Sequence, residues 1–193
     1  RGYLPAGAEV NSATVSLAAG EWYISVQVDE PDPEPVALSG AVIGVDLGIH
    51  HAAAVSDGTI YDNPRTLDRC ARQKARLGRE LSRRTRGGKN WQKTKAKLAR
   101  LERRIADTRR HHQHNISADL TRTKRPAAIV LEDLNVKGMM AAPKPKERED
   151  GRGYAPNGAA AKRGLARSLS DVGMGELRRQ IVYKAGWLGI HVE

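Results

Sequence analysis

Hydrophobic and polar residues alternate over two short runs near the start of the chain. The runs cover residues 10–17 and 21–28, and Ala18, Ala19 and Gly20 lie between them. Alternation of this length is typical of half-buried strands, and a turn of small residues between two such runs predicts a β-hairpin. One face of the second strand carries Trp22, Ile24, Val26 and Val28.

A segment rich in proline and acid follows the hairpin. Residues 30–40 read EPDPEPVALSG, a composition that favours an extended linker. We therefore predict three parts: a first segment at 1–29, a linker at 30–40 and a main domain at 41–193.

The main domain begins with a β-branched apolar run that ends in an acid. Val42, Ile43 and Val45 precede Asp46, and the pattern predicts strands near 41–47, 52–56 and 59–62, forming a meander around Asp57-Gly58. A carboxylate beside a buried strand is costly to desolvate unless a cation or donor meets it, which indicates a metal-binding acid. The alternative is an aspartate that caps a turn.

A second apolar strand, predicted at 127–131, repeats this arrangement and ends at Glu132. Because side chains alternate across a strand, only one of Glu132 and Asp133 can share a site with Asp46. Hard divalent cations prefer oxygen ligands, and carboxylates from two strands can hold two such ions about 4 Å apart. The pair therefore predicts a two-metal site for phosphodiester chemistry.

Helical spacing of apolar residues dominates the segment between the two strands. It covers 67–81 and 91–120 and is interrupted by TRGGKN, so we predict an antiparallel helical hairpin at 64–122. Residues 65–125 hold 21 Lys or Arg and 5 Asp or Glu, a net charge of +16 in a chain whose total is +11. Like charges at these spacings repel one another, which favours a polyanionic partner over a solvated structural arm. The candidate phosphate-binding residues are Arg65, Arg83, Arg84, Arg86, Lys89, Lys93, Lys97, Arg100 and Arg104.

The last third of the chain combines a polar loop with a helix. Residues 141–163 are rich in Pro, Gly, Ala and charge and predict a mobile surface loop. A helix is predicted at 165–188, capped by Ser170-Asp171, with a short strand at 190–193.

Cysteine and histidine content limits the remaining chemistry. Cys70 is the only cysteine, so the chain cannot form an internal disulfide or a zinc site from thiolates. His111, His112 and His114 lack an accompanying carboxylate pair, and core packing or phosphate contact explains them better than metal ligation. No apolar run approaches the roughly 20 residues of a membrane span, and the single cysteine fits a reducing compartment, so we expect a cytoplasmic protein.

Several motifs occur together in a fixed order: GVDLGI, SDG, NPR, RGGKN, IVLEDLNVKGMM and LARSLSDVGMGELRRQIVYKAGWLGI. In this respect the chain resembles the TnpB family, transposon-encoded RNA-guided nucleases related to type V CRISPR effectors. The resemblance implies an RNase H-like (RuvC) α/β core with an inserted basic helical hairpin, preceded by the remnant of a β-barrel (wedge) domain. It makes Asp46 and Glu132 the first and second catalytic acids, holding two Mg²⁺ ions, and it implies guide RNA and target DNA as partners. It also implies a prokaryotic protein that is associated with the nucleoid when it acts.

The same resemblance places the third acid, an aspartate, after a zinc-binding cysteine cluster, and neither occurs before Glu193. We therefore expect zinc only in such a C-terminal part, and we expect the 193 residues alone not to cut DNA unless Asp171 or Glu193 completes the site. The leading hypothesis is an RNA-guided DNA endonuclease. The alternatives are a nucleic-acid-binding module that does not cleave and a structure-selective, resolvase-like nuclease that works without RNA.

Overall fold

A computed structural model of the chain describes residues 4, 7–29, 38–148 and 152–193. Most of the predicted linker, at 30–37, lies outside these ranges. The chain has a mixed α/β fold and divides into two compact units, Arg1–Glu34 with Leu67–Thr108 and Pro35–Thr66 with Arg109–Glu193. None of the described helices is both long and apolar enough to cross a membrane.

The first unit contains two hairpins. Strands β1 (Glu9–Ala18) and β2 (Glu21–Asp29) pair antiparallel, with Leu17 opposite Trp22, which confirms the predicted β-hairpin. Helices α1 (Thr66–Ser82) and α2 (Lys89–Ala118) form the helical hairpin, and α2 continues past Thr108 into the second unit.

The second unit is built on one five-stranded sheet in the order β5-β4-β3-β6-β7. The β3–β4 and β4–β5 pairs are antiparallel, whereas β6 pairs parallel with both β3 and β7. The predicted meander and the later apolar strand are thereby confirmed. The strands are β3 (Val42–Asp46), β4 (His51–Val55), β5 (Ile60–Asp62), β6 (Ala128–Leu131) and β7 (His191–Val192).

Helices cover one face of this sheet. After α2 the chain makes a π-helical turn at Asp119–Thr123, and the later helices are α3 (Val136–Met140), α4 (Ala159–Val172) and α5 (Met174–Trp187). The sheet side chains of this face pack with apolar residues of α2, α4 and α5 in one buried core. Full burial of a Leu or Ile side chain contributes about 1.5–3 kcal/mol, so this layer is a main source of stability. Its members include Ile43, Val45, Ile129, Leu131, Ile116, Leu169, Leu177 and Ile181.

The prediction of one helix at 165–188 was wrong. Gly173, at φ +68°, ends α4 and begins α5, and Ser170 and Asp171 lie inside α4, where Asp171 is buried. The Gln113 side-chain amide donates hydrogen bonds to the carbonyl oxygens of Val172 and Gly173 at 2.8 and 3.0 Å. The break is therefore stabilised by a residue of α2, which the local sequence does not reveal.

The extent of the predicted loop at 141–163 was also wrong at its C-terminal end. Helix α4 already begins at Ala159, and Glu147 and Tyr154 form an isolated antiparallel bridge. Residues 149–151 lie outside the described part of the chain.

A buried lysine joins α5 to the end of α2. Lys184 Nζ donates to the His114 carbonyl oxygen at 2.9 Å and to Ser117 Oγ at 2.7 Å. Burial, with a smaller contribution from the charge of Arg122, lowers the pKa of Lys184. These acceptors compensate in part for the desolvation of the ammonium group, so we assign Lys184 to holding α5 against α2.

Replacing Gly173 with alanine tests the helix break. We expect Gly173→Ala to destabilise the chain by about 2 kcal/mol or more, because alanine disfavours the left-handed region and its Cβ would lie 2.5 Å from Gln113 Nε2. Urea denaturation measures the loss in the free energy of unfolding.

Gly175→Ala is the matched control, since an added Cβ there meets no heavy atom within 4 Å. Its stability should stay the same or rise by up to about 1 kcal/mol. Equal losses in both variants would show that the break between α4 and α5 does not depend on Gly173.

Candidate functional site

The two predicted acids lie at the ends of neighbouring parallel strands. The β3–β6 register pairs Val42 with Ala128 and continues to Val45 opposite Leu131. Asp46 and Glu132 are the next residues of the two strands. The fold therefore brings these acids side by side, although the helical hairpin separates them in sequence.

Both acids are on the face of the sheet opposite the helices. Val45 and Leu131 are buried in the core, whereas Asp46 and Glu132 are exposed. Because side chains alternate along a strand, each acid shares the outer face with the residue two positions before it, Gly44 or Val130. Neighbouring strands are about 4.8 Å apart, so the register allows one cation to reach both carboxylates.

The donor set fits a hard divalent cation but contains only two carboxylates. Across the described ranges, no group of three or more His, Cys, Asp or Glu residues could hold a metal ion. Two exposed carboxylates on adjacent strands repel each other, which a shared cation would relieve. Metal binding by this pair stays a prediction.

The two residues considered as a third acid lie in different environments. Asp171 is buried in α4 and so is not on the exposed face. Glu193 extends the edge of the sheet, since its N–H donates to the Ile129 carbonyl and its carbonyl accepts from the Leu131 N–H at 3.0 and 2.8 Å. By ladder parity its side chain falls on the same face as Glu132.

The helical hairpin is held together by a small apolar cluster. Leu77 of α1 packs against Leu101 and Ile105 of α2, and the cluster is extended by the partly buried Leu67, Cys70 and Leu98. This narrow seam leaves the remaining faces of both helices to polar and basic residues.

A groove of about 310 Å³ runs between α1 and α2, and four of its eight lining residues are cations beside one acid, Glu80. Lys97, Arg100 and Arg104 enter it from α2, and Arg76 enters it from α1. Lys97, Arg100 and Arg104 follow Lys93 at helical spacing on one face of α2. Sequence reasoning missed Arg76, which can be recognised only once the pairing of the two helices is known.

The turn of the hairpin contains both exposed and internally bonded cations. Arg83, Arg86 and Lys89 are exposed. Arg84 instead donates to the Asn90 carbonyl oxygen at 2.5 Å and pairs with Glu80. Arg84 therefore closes the turn, and its guanidinium has fewer donors left for a phosphate than its neighbours have.

Arg65 lies in the second unit, apart from the other predicted phosphate-binding residues. Its backbone has φ +45°, and its N–H donates to Asn63 Oδ1 at 3.0 Å. This position is just before α1 and outside the groove, although the sequence alone grouped Arg65 with the hairpin.

The acids of the hairpin are too few to neutralise it. Lys74 pairs with Glu102 at 3.1 Å, and Arg103 pairs with Asp107 at 2.8 Å. Even if all 5 acids of residues 65–125 were paired, 16 of the 21 basic residues would remain. This excess of positive charge predicts a polyanionic partner, whose condensed counterions the basic side chains would displace.

The three histidines do not form a metal site. His112 Nε2 lies 2.7 Å from the Asp62 carbonyl oxygen, and His111 Nε2 lies 3.2 Å from Asn115 Nδ2. Burial, followed by the charge of Lys184, lowers the pKa of His114. These contacts agree with a structural role for His112 and His114.

Comparison with known families decides the relationship of the chain. The family model OrfB_IS605, described as "Probable transposase", matches residues 23–142. The chain belongs to this family. The resemblance to TnpB that the motifs indicated is thereby confirmed.

Several curated OrfB_IS605 relatives carry closely related names. "Putative RNA-guided DNA endonuclease InsQ" of Escherichia coli K12 is 38% identical over 180 residues, which cover 93% of this chain and 43% of the relative. "Putative RNA-guided DNA endonuclease" of Streptomyces pristinaespiralis is 33% identical over 187 residues, 96% of this chain and 41% of the relative. "Putative RNA-guided DNA endonuclease Rv2885c" of Mycobacterium tuberculosis H37Rv is 36% identical over 171 residues, 86% of this chain and 34% of the relative.

The chain thus spans between 34% and 43% of the length of these relatives. Among solved structures, a CRISPR-Cas12f ternary complex aligns over 89% of this chain and 31% of that chain at 16% identity. Its TM-score of 0.44 is too low to support a conclusion about fold or function.

Salt dependence of binding tests the role of the groove in this OrfB_IS605 member. Each cation that meets a phosphate releases counterions, so replacing Lys97, Arg100 and Arg104 with glutamine should weaken binding to all nucleic-acid sequences. The slope of log K against log salt should flatten by roughly one unit per lost contact. Titrations of a duplex and a single strand at several salt concentrations measure both effects.

Glutamine at Lys144, Lys146 and Arg148 provides a control with the same change in charge, in a segment that also contains Glu147, Glu149 and Asp150. This control should leave the slope nearly unchanged. A larger loss for the control than for the groove variant would place the binding surface outside the hairpin.

Proposed function

We propose that this chain forms the RuvC-like part of an RNA-guided DNA endonuclease of the TnpB type. One observation carries the proposal: Asp46 and Glu132 end adjacent parallel strands and are exposed on the same face of the sheet. The names of the family relatives support the same activity.

The proposal includes an RNase H-like core with an inserted basic hairpin and, at residues 1–29, a remnant of a β-barrel domain. The mixed sheet with helices on one face and the hairpin between β5 and β6 support the first part. The antiparallel β1–β2 ribbon supports the second, since Val15, Leu17, Trp22 and Ile24 are exposed apolar residues that a larger barrel would cover.

In the proposed mechanism Asp46 and Glu132 would hold the catalytic Mg²⁺. Two such ions, when bound, activate the attacking water and stabilise the departing 3′ oxygen. The β3–β6 pairing fixes the backbone positions from which the two carboxylates extend. The hairpin cations would hold the phosphate backbones of guide RNA and target DNA without reading their sequence.

A second candidate function is nucleic-acid binding without cleavage. It is favoured by the net charge of +16 over residues 65–125, which accounts for nucleic-acid binding without any metal site. Under either function the chain would bind nucleic acid through the hairpin. Only metal binding and cleavage therefore discriminate between the two functions.

Mn²⁺ binding tests the acid pair without requiring activity. We expect the chain to bind Mn²⁺ weakly and expect Asp46→Asn or Glu132→Gln to abolish that binding, as measured by water-proton relaxation. Asp133→Asn, a neighbouring carboxylate whose side chain alternates to the other face, should retain it. Equal binding by all variants would exclude the pair as a metal site.

Cleavage tests the proposed activity. In a protein that contains this chain together with the remaining segments of the family, Asp46→Asn or Glu132→Gln should abolish guide-dependent cutting and leave binding within about twofold, since both acids act through the metal. The 193-residue chain alone should not nick DNA in Mg²⁺, because two carboxylates supply too few fixed oxygens for two ions. Nicking that is lost in Asp46→Asn would show that another acid, such as Glu193, completes the site.

A further inference from the structure

A pocket of about 300 Å³ adjoins the acid-bearing ends of β3 and β6. Leu47, which directly follows Asp46, and Leu134, two residues after Glu132, form one side of it. The start of α5 forms another side with Met174 and Gly175. Its volume is at the lower limit of small-ligand sites, which is sufficient for one nucleotide unit.

Two cationic side chains line this pocket, Lys137 of α3 and Arg178 of α5. Lys137 is exposed, and Arg178 is partly buried. Neither Asp46 nor Glu132 lines the pocket, but its positive wall lies at the same end of the sheet as the two acids, an arrangement suited to a phosphate group attached to a larger molecule.

The Nε atom of Arg178 is buried and has no hydrogen-bond partner within the part of the chain that the structure describes. Buried donors are almost always paired, so this one needs an acceptor that the described part of the chain does not supply, such as a water molecule or a bound anion. The Arg178 Nη2 atom lies 3.9 Å from Asp133 Oδ1, which is beyond hydrogen-bonding distance. Asp133 is almost fully exposed, so its carboxylate can turn to solvent when an anion binds.

Gly175 keeps the pocket open. An added Cβ at this position would meet no heavy atom within 4 Å, and Gly175 is not among the residues with a positive φ. The fold therefore does not require glycine here, although glycine is unfavourable in a helix. A larger side chain would fit the backbone and extend toward the space that the pocket provides.

We propose that this pocket binds a phosphodiester of the DNA strand held at the acid pair, with Arg178 and Lys137 as its ligands. This inference rests on the proposed function. The guanidinium presents a planar set of N–H donors that matches two phosphate oxygens, and Lys137 adds a second charge. A phosphate fixed here sets which phosphodiester of the strand lies at Asp46 and Glu132.

A DNA strand suits this pocket better than a free anion does. Free phosphate would contact only Arg178 and Lys137, against the repulsion of Asp46, Glu132 and Asp133. A nucleic-acid strand is held at several phosphates, so the contact in this pocket has to supply only part of the total affinity.

The direct test follows the Arg178 Nε–H signal by NMR in the ¹⁵N-labelled 193-residue chain during titration with a short single-stranded thymidine oligonucleotide. We expect a saturable shift for Arg178 and little change for Arg179, whose guanidinium pairs with Glu176. An oligonucleotide with uncharged methylphosphonate linkages should not cause the shift. An equal response to both oligonucleotides would overturn the proposal.

Affinity measurements with matched variants provide the second test. Arg178→Gln should weaken oligonucleotide binding about tenfold and reduce the salt slope by about one unit, the effect of losing one charge-assisted phosphate contact. Arg179→Gln, the same change on the adjacent residue, should change affinity less than twofold. Lys137→Gln should cause a smaller loss than Arg178→Gln, because its ammonium lacks the planar donor set.

Gly175→Leu separates binding from folding. This variant should unfold at the same temperature as the parent or higher, yet bind the oligonucleotide about tenfold more weakly, because the leucine side chain occupies the pocket. Unchanged affinity in both Gly175→Leu and Arg178→Gln would overturn the proposal. If the groove variant at Lys97, Arg100 and Arg104 still loses affinity in that case, the proposed function stands without this pocket.

Inorganic phosphate distinguishes a strand site from a general anion site. Inorganic phosphate at the same concentration as the phosphodiester groups of the oligonucleotide should not shift the Arg178 Nε–H signal. A matching shift with phosphate, together with normal oligonucleotide binding by Arg178→Gln, would show a free-anion site and would refute the assignment to a DNA strand.

Discussion

The parallel pairing of β3 with β6 is the interaction on which the second unit depends. Backbone hydrogen bonds continue the pairing before the strands, where the Ala127 N–H donates to the Ala41 carbonyl and the Ser39 N–H to the Arg125 carbonyl, each at 2.7 Å. A slip of one residue would turn Glu132 into the core and an apolar side chain to solvent. The register that buries the core is therefore also the register that places the two acids together.

The helices on the inner face make this register costly to change. Leu177, Ile181 and Ala185 recur at four-residue spacing on α5 and are fully buried against the sheet. Lys184 on a neighbouring stripe of the same helix ties α5 to the end of α2 through polar acceptors. The C-terminal end of α2 is thus connected to the layer that fixes the strands.

Much of the fold was predictable because local signals agreed with the tertiary structure. The β-branched run before Asp46, the Asp57-Gly58 turn and the helical spacing around the glycines of the hairpin each favour one local structure. The break at Gly173 was not predictable in this way, since apolar spacing continues through it and glycine is tolerated in helices. The break is stabilised by the amide of Gln113, which is distant in sequence and near only after folding.

The residues of the candidate site also differ in whether the sequence alone reveals their role. Asp46 and Glu132 could be selected from the sequence because each directly follows an apolar run, although both side chains are exposed and the expected burial is absent. Arg178 and Arg179 are adjacent and chemically identical, and only packing shows that one pairs with Glu176 while the other lines a pocket. Arg84 looked the same as Arg83 for a similar reason, because its acceptors at Glu80 and Asn90 become apparent only when the turn is closed.

The bonds made by Arg84 have a consequence for the kinetics of association. Because the turn is already ordered, Arg83, Arg86 and Lys89 need no ordering step before they bind. The conformational entropy of the loop is lost during folding and not during binding. Encounter with a polyanion is then limited by diffusion and electrostatic steering. For such a surface, differences in affinity between nucleic acids should arise mainly from differences in their dissociation rates.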